Sequence, residues 1–305
     1  MDEIRNLVQA VEQTGNIYMI GETSYYYPEV IYCRQQFQKG AFGKVVYAEG
    51  EYYHDWDHGL YDVAKWRGGE NWRDTAGVPP MYYPTHSTSQ IVSVTDAYMT
   101  HVSCQGFVDT HEDGIYAPNA NLWHNCFSNE SALFKMSDGS CARINEFRRI
   151  GHPGTVRMAM FGTAGSFEHN NAGAVWLTKN RSEKENLDTL LTCRRPSSHI
   201  QSDMDKVTAD DGTHHSAAPI HPVHRLPAAF KGLPNGHNGS HQFLVDDFVR
   251  ACLAKKIPPN NVWDAARYVI PGLIAHESSK RGGELLAIPD LGNAPETNRL
   301  EIAFS

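Results

Sequence analysis

The chain has 305 residues, 41% apolar and 20% charged, with a formal net charge of −8. One large core or two smaller ones fit that composition, while the acidic balance and the lack of a Lys/Arg run exclude a general nucleic-acid binder. No apolar stretch suits a membrane span, the acidic, helix-patterned start Met1-Asp2-Glu3-Ile4-Arg5 is unlike a signal peptide, and six scattered cysteines without a C-x-x-C pair suggest reduced thiols in a cytoplasmic protein.

Residues 2–14 read as a helix. Ile4, Leu7, Val8 and Val11 fall on one face, and Gly15 stands where a left-handed C′ residue belongs. Residues 17–20 read as a short buried strand. Pro28 opens a second helix with Val30, Ile31 and Phe37 on one side and Gly40 at its end. Residues 44–53 alternate as a strand, so the chain begins helix–strand–helix–strand, as an α/β layer does. Residues 55–80 lack periodicity and carry Trp66-Arg67 and Trp72-Arg73; loops of that length usually bind something. The turn Met81-Tyr82-Tyr83-Pro84-Thr85-His86-Ser87 leads into a helix that Thr85 or Ser87 can cap.

A strand is expected over 99–108, and a polar loop over 109–123. Asp138-Gly139 is a hairpin turn between strands 132–136 and 142–147. Strands 155–161 and 174–178, with the turn Gly162-Thr163-Ala164-Gly165 between them, extend a largely antiparallel sheet. Residues 180–235 read as an irregular surface excursion. Two helices close the chain. Ser240 caps the first, with Val245, Phe248, Val249 and Cys252 facing inward. Asn260 or Asn261 caps the second, with Val262, Ala265, Ala266, Val269, Ile270 and Leu273 inside, a kink at Pro271 and an end at Gly282-Gly283.

Pro84 fixes its own φ and pushes Tyr83 toward an extended conformation. That presents a phenol and an imidazole three residues apart near a helix N-terminus, where they can exchange protons with a substrate. A packed Tyr and a hydrogen-bonded His are the simpler alternative. Tyr52 and His54 share one face of a strand end. A zinc site needs three or four ligands in fixed geometry, so this His- and Asp-rich segment reads as a polar, sugar-facing rim, and no metal is expected. Arg67 and Arg73 can clamp a carboxylate, a phosphate or hydroxyls, or stack on their Trp neighbours. Glu22 follows a strand's carboxyl end, where α/β sheets place ligands. His237, in Gly236-His237-Asn238-Gly239, can face an anion or hydroxyl. His214, His215, His221 and His224 read as loop histidines, and Glu146-Phe147-Arg148-Arg149 as an intra-sheet salt bridge. No two glycines stand two residues apart, so a G-x-G-x-x-G dinucleotide turn is lacking.

Several segments, in matching order, resemble the Gfo/Idh/MocA oxidoreductases: residues 17–22 followed by Tyr27-Pro28, Lys39-Gly40-Ala41-Phe42-Gly43-Lys44-Val45, Phe161-Gly162-Thr163-Ala164-Gly165-Ser166, and Ala275-His276-Glu277-Ser278 with Arg281-Gly282-Gly283. The resemblance implies an open, mostly antiparallel β-sheet with helices on one face. It makes residues 1–24 the last helix and strand of a nucleotide-binding Rossmann domain, and residues 25–305 a substrate-binding and oligomerisation domain, with homo-oligomers formed through the open sheet face. It implies NAD or NADP as cofactor and a sugar or polyol as substrate. The glycine fingerprint and the Glu-Lys-Pro segment of the family are missing. Many members carry Asp four residues before the catalytic His, where this chain has Tyr82. The Tyr-Pro-Thr-His version is similar to the branch containing NAD-dependent α-N-acetylgalactosaminidases. There the positions matching Glu22, Tyr52, His54, Arg73, Tyr83 and His86 surround sugar and nicotinamide, and the segment holding His237 is also similar.

Three functions follow as expectations. One is an NAD(P)-dependent dehydrogenase of a sugar, cyclitol or related polyol, inactive without its nucleotide-binding half. In it His86 takes the hydroxyl proton, Tyr83 supports the developing alkoxide, Glu22, Tyr52, His54, Arg73 and His237 orient substrate, and Glu22 also meets the cofactor. The second is a redox glycosidase with Tyr83 or His86 as the C2 base. The third is a non-catalytic binding or dimerising unit.

Overall fold

Side-chain alternation decides the layering. In β3 (Phe127–Met136) Ser128, Glu130, Ala132, Phe134 and Met136 are buried, while Ser131, Leu133 and Lys135 are exposed. One face of the strand therefore lies under helices and the other is open. The computed structural model describes residues 1–180, 184–193 and 213–301. The strands are β1 (Val45–Tyr53), β2 (Met99–Val108), β3, β4 (Cys141–Phe147), β5 (Thr155–Gly162), β6 (Gly165–Asn170), β7 (Gly173–Thr178), β8 (Lys184–Asn186) and β9 (Leu286–Ala287). They form one open sheet in the order β8-β7-β6-β5-β1-β4-β3-β2-β9. β1 and β4 run parallel, and the other pairings are antiparallel. The expected fold class is therefore found.

The helices are α1 (Asp2–Thr14), α2 (Pro28–Gln38), α3 (Leu60–Gly68), α4 (Trp72–Ala76), α5 (Thr85–Thr95), α6 (Asp188–Leu191), α7 (His241–Ala254) and α8 (Val262–Lys280). Gly15 ends α1 with φ 66°, and Asn261 opens α8 with a capping box closed by Asp264. The main core joins α2, α5 and α8 to the strands through residues such as Val30, Ile91, Ile144, Met160 and Ile270. Ser278 of α8 accepts the amide of Cys104 on β2 (3.0 Å).

Two glycines set how closely α5 and its turn lie on their neighbours. A Cβ on Gly50 of β1 would fall 2.6 Å from the carbonyl oxygen of Ser87, and one on Gly272 of α8 would fall 2.0 Å from that of Met81. Both obstacles are backbone, so neither yields to a rotamer change. Gly272→Ala is expected to cost about 1–3 kcal/mol through overpacking. Urea denaturation checks this; an unchanged midpoint would show that the turn has room to move.

Several expectations are corrected. Residues 17–20 belong to no strand, and Ile20 N–H bonds the Asn260 carbonyl (2.8 Å). Residues 55–80 contain α3 and α4, which rest on a satellite core of Trp56, Ala76, Ile115 and Tyr116. Within 180–235, β8 and α6 add regular structure and 223–230 forms short 3-10 turns; 181–183 and 194–212 lie outside the described residues. The inward face of α7 was misread. Val245, Phe248, Val249 and Cys252 are exposed, whereas Gln242, Phe243, Asp246, Asp247 and Ala251 are buried. Hydrogen bonding draws the polar side inward: Asp247 pairs with Arg225 and Tyr26, and Gln242 donates to the Phe230 carbonyl.

Candidate active site

The parallel pair β1/β4 ends in Tyr52-Tyr53 and Glu146-Phe147, which lie side by side. Carboxyl ends of parallel strands are where open α/β sheets place ligands. Across this end runs a short 3-10 turn, Pro80–Tyr82, followed by α5, with Pro84 at its N-cap. Thr85 and Ser87 do not cap that helix. The Ser87 hydroxyl donates to Glu146 (2.5 Å), and the Thr85 hydroxyl to Glu22. His86 thus sits in the first turn of α5, nearly buried, with its ring on the Tyr83 and Tyr52 rings at 5.5 and 5.3 Å between centroids.

Glu22 fixes that imidazole. Its carboxylate is 2% exposed, accepts the Ser24 amide (2.7 Å) and accepts His86 Nδ1–H (2.8 Å), and the Ser24 hydroxyl stands 3.1 Å from the same nitrogen. Burial alone would raise the Glu22 pKa, but the His86 charge and the bonds from His86, Thr85 and Ser24 hold it below the usual carboxylate range. Burial pushes His86 down, and Glu22, with a smaller contribution from Glu146, more than reverses this, so its pKa lies above 6.5. Among the described residues nothing bonds Nε2. The arrangement is an imidazole with one nitrogen anchored and the other free to accept a proton.

Of the other residues singled out in the sequence, Tyr52 shares a hydrogen bond with His54 Nδ1 (3.0 Å), and its ring lies 5.9 Å from that of Tyr83. Burial raises the Tyr52 phenol, so it stays protonated. Tyr83 is 39% exposed and is the open member of the group. The His237 ring lies 6.4 Å from that of His86, and the residue takes a left-handed φ of 48°. The structure thus brings Glu22, Tyr52, His54, Tyr83, His86 and His237 together. Arg73 goes elsewhere: its guanidinium donates to the Asp113 carbonyl (2.9 Å) and stacks on Trp72 (4.8 Å). The Arg67 charge, by contrast, acts on the Tyr52 phenol. Among the described residues no group of three or more His, Cys, Asp or Glu is placed to hold a metal ion.

Sequence reasoning missed the layer beneath. Arg148 donates to Glu146 (2.9 Å), with its guanidinium 4.9 Å from the centre of the Tyr52 ring; sequence suggested only a salt bridge there. Glu130 on β3 accepts His276 Nδ1–H and the Ser279 hydroxyl, each at 2.8 Å, and the Met81 amide at 2.9 Å. A signal was present in strand parity. Glu146 falls in phase with Ala142 and Ile144, and Glu130 with Ala132 and Phe134, so each carboxylate occupies a core-facing position.

No family model matches the sequence, and neither does any curated protein. Solved structures do match. A levoglucosan dehydrogenase in complex with NADH and L-sorbose aligns with a TM-score of 0.66 at 15% identity, over 95% of this chain and 70% of that one. The same enzyme with NADH and levoglucosan gives 0.66 at 14% identity, over 95% and 71%. An NAD-binding oxidoreductase from Klebsiella pneumoniae gives 0.62 at 13% identity, over 94% and 70%. The fold is that of the Gfo/Idh/MocA oxidoreductases. At these identities the likeness carries the architecture, and the chemistry has to be argued from the site.

Proposed function

We propose that this chain forms the substrate side of an NAD(P)-dependent dehydrogenase acting on a sugar, cyclitol or related polyol. The observation that carries this reading is the His86–Glu22 pair: Nδ1–H is held by a buried carboxylate, and the imidazole packs against the rings of Tyr52 and Tyr83. Oxidation of an alcohol removes a hydroxyl proton and a hydride together. His86 Nε2 takes the proton, Tyr83 donates to the developing alkoxide, and Tyr52, His54 and His237 hold neighbouring hydroxyls. Bound NAD or NADP supplies the hydride acceptor. The residues present fit the sugar side of that reaction, with the buried Glu22 acting on it through His86. The sequence has no glycine turn to cradle a pyrophosphate, so this reading assigns the nucleotide phosphates to other residues. Residues 1–24 are then the border of a nucleotide-binding unit, and 25–305 the substrate-binding unit. Among the described residues no helix is long and apolar enough to cross a membrane.

NADH formation with a panel of polyols tests the reading; turnover indifferent to His86 would reject it. A second test uses pH. The negative charge of Glu22 raises the His86 pKa, so Glu22→Gln lowers it. Free base is then present at lower pH, and the acid limb of kcat/KM should shift to more acidic values while kcat falls about tenfold through looser orientation of the ring. A limb that stays in place means that another group is the base.

One observation keeps the redox glycosidase in play. Tyr83 is partly exposed and lies against His86, so two proton-transfer groups stand on one turn. Exchange of the sugar C2 hydrogen with solvent deuterium, accompanied by aglycone release and no net NADH, distinguishes this from simple dehydrogenation.

A further inference from the structure

Glu130 and Glu146 stand directly opposite each other on β3 and β4, on the helix-covered face, and both are fully buried. Two like charges in register across a strand pair oppose folding unless each has a partner. Here each does, and the partners lead to the same segment. Glu130 is held from α8 by His276 and Ser279, and its remaining oxygen takes the Met81 amide. Glu146 takes the Ser87 hydroxyl on one oxygen and Arg148 on the other, and Arg148 also donates to the Pro80 carbonyl (3.4 Å) and underlies the Tyr52 ring. The stretch 80–87 is thus tied at both ends to two adjacent strands, with Tyr83 and His86 between the ties. Tyr52 continues the row, being the β1 residue opposite Glu146.

We propose that Glu130 and Glu146 are positioning residues: they set the place of Tyr83, His86 and Tyr52 from beneath without touching substrate. This rests on the reading of Tyr83 and His86 as the reacting pair and names the groups that orient them. The two carboxylates differ in a way that can be measured. His86 is faced by Glu22 and Ser24 from the segment before α2, Tyr52 from β1, Tyr83 from its own turn, Glu146 from β4 and Arg148 just past its end, and His237 from the loop before α7. Of the groups in and just past β4, Glu146 raises its pKa and Arg148 lowers it. Burial pushes Glu146 itself up to about 7, against the pull of Arg148, Ser87 and His86, so it changes charge within the working range of the imidazole. Glu130 acts on the turn through the Met81 amide.

Imidazole NMR of the full chain reads both effects without requiring turnover. In Glu146→Gln the titration midpoint of His86 should move to lower pH, because the opposing Arg148 remains. In Glu130→Gln the midpoint should hold, while the ring-proton resonances of His86 and Tyr83 shift as the turn moves over the neighbouring rings. Ser87→Ala removes one tie and leaves both carboxylates in place, which keeps the test usable if a buried Glu variant fails to fold. It should displace the His86 resonance by changing its contact with Tyr52. In assays with NAD(P) and polyol, each variant should lose about 10–100-fold in kcat with little change in KM. A His86 midpoint unmoved by Glu146→Gln, or His86 and Tyr83 resonances unmoved in Glu130→Gln and Ser87→Ala, would overturn the proposal. Absence of turnover in the wild type with these NMR shifts present would instead count against the dehydrogenase reading.

Discussion

His86→Gln should lower kcat by about 10²–10⁴-fold, the contribution of a positioned general base. That corresponds to roughly 3–5 kcal/mol of barrier at 1.36 kcal/mol per decade. Glutamine is chosen because its amide can still donate to the Glu22 carboxylate, which is buried and loses its main partner when the ring is removed. Folding should therefore survive, and circular dichroism melting would confirm it. Tyr83→Phe should cost less, because it removes one donor from a partly exposed position where water can substitute. The order of the two losses matters. If Tyr83→Phe costs more than His86→Gln, the phenol is the acid–base group and the imidazole only orients it. If His86→Gln keeps more than a tenth of wild-type turnover, proton transfer lies elsewhere.

How much of this was legible depended on whether the controlling contact was local. The capping box at Asn261, the left-handed Gly15 and the Asp138-Gly139 hairpin are decided within a few residues, and sequence placed them well. The site cluster was legible in part, because Tyr52 with His54 and Tyr83 with His86 are near neighbours in the chain. Failures arose where distant partners decide. Val245, Phe248 and Val249 form as good an apolar stripe as Phe243 and Ala251 do; only Arg225 and Tyr26 binding Asp247 reveal which side turns inward. Arg73 seemed available to a substrate until the loop carbonyl of Asp113 was in place. Ser87 resembled a helix cap because its bond to Glu146 spans 59 positions. Glu130 and Glu146 could have been suspected from parity, since a carboxylate in a core-facing phase requires a buried partner.

Arg225→Ala is expected to be the most destabilising single change of those considered, at about 3–5 kcal/mol. The Asp247 carboxylate is wholly buried and held by both terminal nitrogens of Arg225 and by the Tyr26 hydroxyl (2.8 Å). Removing the guanidinium leaves a buried charge with one neutral donor. The double variant Arg225→Met with Asp247→Asn removes both charges and keeps most of the volume, so it should be far milder than the single change. Urea denaturation of both decides: a single variant no worse than the double would mean that the ion pair is not what docks this loop on α7. Activity should fall with the single change as well. Tyr26 N–H bonds the Thr23 carbonyl and Tyr27 N–H that of Ser24, so a loosened Tyr26 disturbs the turn that brings Ser24 to His86. A pH arm separates this loop's two anchors. His221 donates from Nε2 to the Tyr26 carbonyl and accepts the Ala218 amide, and burial pushes its pKa down to about 4. Below pH 6.5 the unfolded chain binds a proton that the native His221 refuses, so stability is lost progressively as pH falls from 6.5 to about 4. That acid loss should persist in the double variant and disappear in His221→Gln. If it vanishes with the ion pair instead, the histidine is not a separate anchor, and the docking of 221–225 is a single cooperative contact.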